Sequence, residues 1–164
     1  MSQGAPAWML DCGGGVVVAT GLANVLHVIE DTSALFRVPM APAHCNRVLL
    51  WQQRVLPAVD LAALLIGAAP PAPRLYACVL GWRVSRNDTE YGVLLARGLP
   101  RRITVSDDQR IRPSDSDAER WRGIGLSFFS YHKRATPIVD PASLFGSVQH
   151  TTATTAVRAS HRIA

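Results

Sequence analysis

Cysteine is scarce in this chain of 164 residues: Cys12, Cys45 and Cys78 are an odd set at wide spacing, which argues against a disulfide framework. Lysine is scarcer still. Of 17 basic residues, 16 are arginine and only Lys133 is lysine, so the chain has no lysine-rich tract of the kind nucleic-acid binders gather on one face or tail. Charged residues make up only 18% of the chain against 48% apolar ones, which excludes general disorder and supplies a packed core. Long apolar runs are missing too. The best of them, residues 55–69, is broken by Pro57 and Asp60 and stops short of the roughly 18 residues a membrane span needs, so no direct membrane insertion is expected. The amino terminus lacks the basic-then-apolar layout of a secretory signal. A soluble, cytoplasmic, single-domain protein is the expectation. The net charge of +5 keeps one alternative in view, a small basic β-barrel that binds nucleic acid. Scattered arginines suit acidic protein partners equally well.

Catalytic constellations are also lacking. Gly13-Gly14-Gly15 has no following Lys-Ser/Thr and opens onto a strand, so it reads as a hairpin turn and not a phosphate loop. His44-Cys45 has no second ligand pair at zinc spacing and reads as an incidental or buried pair. No catalytic, cofactor-binding or metal-binding residue is assigned; the expectation is a protein without enzymatic activity or cofactor.

What the chain does have is an internal repeat. Residues 54–65, Arg-Val-Leu-Pro-Ala-Val-Asp-Leu-Ala-Ala-Leu-Leu, return 80 positions later as residues 134–145, Arg-Ala-Thr-Pro-Ile-Val-Asp-Pro-Ala-Ser-Leu-Phe. Pro57, Val59 and Asp60 match Pro137, Val139 and Asp140. Each copy reads as an apolar strand running into an aspartate that caps a short helix, with Gly67 or Gly146 as its stop. This assigns Asp60 and Asp140 to helix caps and sets aside a catalytic carboxylate pair. Two copies at half-chain spacing imply two equivalent subdomains.

Between these junctions the pattern is mostly strand. Short β-branched or aromatic runs stand at 8–12, 15–20, 25–30, 34–39, 48–51, 75–80, 91–95, 102–105 and 125–130, bounded by turn residues, which indicates barrels or a sandwich. The proline-rich stretch 67–73 reads as a linker between halves at about 8–67 and 74–147. Residues 107–119 form a polar excursion with Ser116 and Glu119 spaced as a capping box. The tail 148–164 has no apolar period and is expected to be flexible. Trp51 is followed by polar Gln52, Gln53 and Arg54, the setting of an interface anchor.

The strand ending Val55-Leu56-Pro57-Ala58-Val59-Asp60-Leu61 with its short apolar helix resembles the signature of the CheW-like domain, and Asp140, Leu144 and Phe145 resemble its weaker second copy. Phe36–Pro42, Tyr91–Leu95 and Asp107–Pro113 resemble further stretches of that family in the same order. The resemblance covers about residues 8–147. It implies a mainly β fold of two SH3-like, five-stranded barrel subdomains with short helices. It further implies a non-enzymatic adaptor that couples methyl-accepting chemoreceptors to a CheA-type histidine kinase, with no nucleic acid involved. Leu50-Trp51-Gln52-Gln53 replaces the family's Asn-Leu-Arg-Gly, and Val28 stands where a glutamate is usual. The run Trp51–Arg54 and the passage Leu94–Arg102 are similar to the ChpC-like proteins of pilus-type chemosensory clusters, which serve twitching motility. Leu50, Trp51, Gln52, Gln53 and Arg54 are therefore expected to border the partner-binding surface.

Overall fold

Both repeat copies fold as their residues dictate. In the computed structural model, which describes residues 3–146, β6 (Arg54–Val59) runs into α1 (Leu61–Ile66), and β11 (Arg134–Val139) runs into a helix over residues 141–146, here α3. The Asp60 carboxylate accepts the Ala63 amide hydrogen at 3.1 Å and Asp140 accepts that of Ser143 at 3.2 Å, so both aspartates are the expected caps. Gly67 ends α1 in the left-handed conformation, φ 80°. Gly146 is still helical at the last described residue, so the stop expected there is not seen, and the tail at 148–164 lies outside the described residues.

The remaining strands are β1 (Ala5–Gly13), β2 (Val16–Gly21), β3 (Val25–Ile29), β4 (Leu35–Arg37), β5 (Arg47–Trp51), β7 (Tyr76–Ser85), β8 (Asp88–Ala96), β9 (Arg101–Val105) and β10 (Gly125–Tyr131). They form a five-stranded sheet, β10-β11-β2-β1-β9, and a six-stranded sheet, β3-β7-β8-β6-β5-β4. With β4 set aside, the two orders are the same: a hairpin ending in the repeat strand, a parallel step, another hairpin, and a last antiparallel edge. The fold is mainly β, as expected, with two corrections of detail. One sheet carries a sixth strand. The sheets also do not follow the expected halves, because β1 and β2 join β9–β11 while β7 and β8 join β3–β6.

The main core lies between the sheets and contains Leu10, Val18, Val59, Leu80, Leu94, Val139, Leu144 and Phe145. A smaller core of Leu49, Leu56, Ala58, Val79 and Val93 fills the six-stranded sheet. The glycines at 13–15, all at positive φ, make the β1–β2 turn. The polar excursion contains α2 (Asp115–Arg120), capped by Ser114 and not by Ser116; the capping box is formed upstream by Ser106 and Gln109. Three closely spaced serine and aspartate candidates leave that choice to backbone geometry. Among the described residues no helix is long and apolar enough to cross a membrane.

Candidate docking surface

The strands β4, β5 and β6 pair so that Phe36, Val48 and Pro57 form one cross-strand row and Leu50 and Val55 the next. Residues paired directly across an antiparallel ladder share a face. Leu49 and Leu56, between these rows, point into the smaller core. The period of two therefore turns Phe36, Val48, Leu50, Val55 and Pro57 the other way. Phe36 is 52%, Leu50 49% and Val55 67% exposed. A contiguous apolar face of this kind is a candidate contact site. Its strands also carry Arg37, Arg47 and Arg54 and no acidic residue, and the same period of two sets these arginines on the opposite face, with Leu49 and Leu56.

The repeat supplies a control for this face. The positions matching Val48, Val55 and Pro57 are Phe128, Ala135 and Pro137. There Phe128 and Ala135 pack in the main core with Trp121 and Ile124, and Pro137 is buried. The segment between β9 and β10, which includes α2, thus covers the second face. The equivalent face of the first unit is bare because its β3–β5 connection adds β4 to the sheet edge instead.

Of the five residues expected at a partner surface, Leu50, Gln52, Gln53 and Arg54 are exposed. Trp51 is half-buried and turns inward: its ring lies 5.7 Å from that of Tyr91, and Arg54 stands 5.0 Å over the Tyr91 ring. Sequence reasoning missed Phe36, Val48, Val55 and Pro57. The available signal was the alternation around Leu49 and Leu56, hidden because both faces of the hairpin are apolar.

The tip of this hairpin is strained. Gln52 and Gln53 take φ of 46° and 62°, the pair of left-handed residues for which a two-residue turn favours Asn-Gly. Replacing them, Gln52→Asn with Gln53→Gly, is expected to stabilise the fold by about 1–2 kcal/mol. Thermal denaturation checks this, and a lowered melting temperature would show that the glutamines support the turn in another way.

The other polar groups offer little chemistry. Burial pushes the Cys78 thiol up to about 12 and raises that of Cys12 as well, so neither supplies a thiolate at neutral pH. Burial holds His44 below the usual imidazole range, and its Nε2 has no hydrogen-bond partner. Among the described residues no cluster of His, Cys, Asp or Glu is placed to hold a metal ion.

Asp60 does more than cap. Arg97 meets both its carboxylate oxygens, Nη1 to Oδ1 at 3.0 Å and Nη2 to Oδ2 at 2.6 Å, with both side chains 8% exposed. The same guanidinium donates to the Cys12 carbonyl at 2.6 Å and the Pro70 carbonyl at 2.8 Å, tying the end of β1 and the linker to α1. Asp140 takes part in no ion pair among the described residues; its carboxylate accepts from the Ser143 hydroxyl as well as the amide.

Comparison with curated proteins finds no match. The solved structure of the scaffolding protein TtCheW from Thermoanaerobacter tengcongensis overlays with a TM-score of 0.64 at 10% identity, covering 86% of each chain. The family model described as the CheW-like domain matches residues 7–149, and with most of its length inside that match the chain belongs to the CheW-like domain family.

Proposed function

We propose that the chain is a non-catalytic adaptor of bacterial chemosensory signalling that joins chemoreceptors to a CheA-type histidine kinase. The family supports this reading, and the observation that carries it to particular residues is the bare apolar face of β4–β6, whose counterpart in the other sheet is covered. A surface of that sort binds without catalytic groups. Leu50, Gln52 and Gln53 with Val55 and Phe36 form the docking surface, while Trp51 and its cross-strand partner Arg54 lie on the other side of the hairpin and brace it from behind through Tyr91. Beside it runs a groove of 330 Å³ lined by Arg54, Pro57, Trp82, Glu90 and Phe145, open to the tip of a receptor helix pair. The resemblance of Trp51–Arg54 and Leu94–Arg102 to pilus-type proteins points to a twitching output. Cytoplasmic work at a receptor array goes with this proposal.

The test is capture of the kinase and receptor by the purified protein. Leu50→Asp with Val55→Asp is expected to weaken capture by about 30-fold or more, the scale of losing central apolar contacts. Both side chains are exposed, so the melting temperature is expected to hold. Unchanged capture by the folded double variant would overturn the assignment of this surface. Neither the family nor the fold supports the alternative of nucleic-acid binding, and a salt-dependent gel shift would be its signature.

A further inference from the structure

In the six-stranded sheet the space beside the β5–β6 turn is filled by the chain itself, by the Tyr91 ring under Arg54 and against Trp51. The repeat locates the same place in the other sheet. Trp51-Gln52-Gln53-Arg54 corresponds to Tyr131-His132-Lys133-Arg134, and His132 and Lys133 again take left-handed φ, 47° and 64°. Ala58 bridges to Val93 and its match Ile138 bridges to Ala19, so Val93 and Ala19 correspond. Two residues back along the parallel strands, Tyr91 corresponds to Val17. Where one unit has a phenol ring, the other has an isopropyl group.

A cleft of 390 Å³ lies at that position, walled by Val17, Met9, Leu99 and Tyr131, with Arg101 and Arg134 on its lining. Arg134 therefore lacks the ring its counterpart Arg54 covers. Among the described residues neither Arg101 nor Arg134 forms an ion pair. The acidic lining residue is Asp11, whose Oδ1 is engaged by the Gly13 amide hydrogen at 2.9 Å. Two unpaired guanidiniums beside an apolar wall favour a group with an aromatic body and negative charge close by.

We propose that this cleft is a docking site for an aromatic side chain flanked by carboxylates on a protein partner. The ring takes the place of Tyr91 beneath Arg134, and the flanking carboxylates pair with Arg101 and Arg134. The site lies on the five-stranded sheet and is independent of the β4–β6 face. The net charge of +5 disfavours a second copy of this chain as the occupant, and Asp11 disfavours a polyanion.

The probe is the acetylated, amidated tripeptide Glu-Tyr-Asp, titrated into the isotope-labelled full chain and followed by backbone amide shifts. Saturable shifts are expected at Val17, Arg101 and Arg134, with millimolar affinity. Peptides Glu-Ala-Asp and Lys-Tyr-Lys are expected to bind at least tenfold more weakly. Val17→Tyr restores the missing ring and is expected to abolish the shifts with a folded spectrum. Arg101→Glu with Arg134→Glu, at two exposed positions, is expected to do the same should the larger side chain disturb packing. Absence of saturation, equal binding of either control peptide, or undiminished binding to the arginine double variant would each overturn the proposal.

Discussion

Arg97→Met is expected to lower the unfolding free energy by about 3–5 kcal/mol, the usual loss when one partner of a buried ion pair is removed. The cause is Asp60, which stays 6% exposed between strand and helix with its compensating charge gone. The Cys12 and Pro70 carbonyls lose their donors in the same step. Asp60→Asn should cost less, since the amide oxygen still accepts from Ala63 and keeps the cap. In the double variant neither charge is stranded, so its loss should fall well below the sum of the two single losses. Urea denaturation of the three variants measures this. A loss under about 1 kcal/mol for Arg97→Met would mean that water reaches Asp60 and replaces the guanidinium. The contact also explains the sequence around it. A Cβ on Gly13 would stand 2.4 Å from Cδ of Arg97, so the β1–β2 turn needs glycine there for room as well as for its φ of 87°.

The parts of this fold that read directly from the sequence are those set by near neighbours. The caps at Asp60 and Asp140 involve an amide three residues away, and the turn at Gly13–Gly15 lies within one hairpin. The pairing of Asp60 with Arg97 spans 37 positions and leaves no local mark. The crossing of β1–β2 and β7–β8 to opposite units is likewise set by packing between sheets, which periodicity does not record. The docking face shows a third kind of limit. Val48, Leu49 and Leu50 are all apolar, as are Val55 and Leu56, so composition does not say which side is solvent. An aromatic next to polar residues suggested that Trp51 faces out. The pairing of Trp51 with Arg54 puts it on the inner side with Tyr91, and its neighbour Leu50 takes the outer one.

Phe145 is the residue where the repeat and the groove meet, and Phe145→Ala is expected to cost about 3–5 kcal/mol. It lies in α3, yet its ring reaches across from the second unit and stacks on Trp82 of β7, with centroids 4.9 Å apart and planes 8° from parallel. The ring also lies over Gly92 of β8 so closely that a Cβ there would be 2.3 Å from its Cζ. Gly92 is therefore kept small by Phe145, and each is the other's complement in volume. Gly92→Ala alone should overpack the site and cost about 1–3 kcal/mol, because the ring is held by Trp82 and has little room to move. Combined with Phe145→Ala, the added methyl enters the cavity the ring vacates, so the double variant should be more stable than the sum of single losses implies. Additive losses in denaturant unfolding would show that the two sites do not share a space. The same ring forms part of the groove lined by Arg54, Pro57 and Glu90. Phe145→Ala should thus weaken receptor capture beyond what its stability loss explains, whereas Gly92→Ala, beneath the ring, should leave capture by the folded fraction intact.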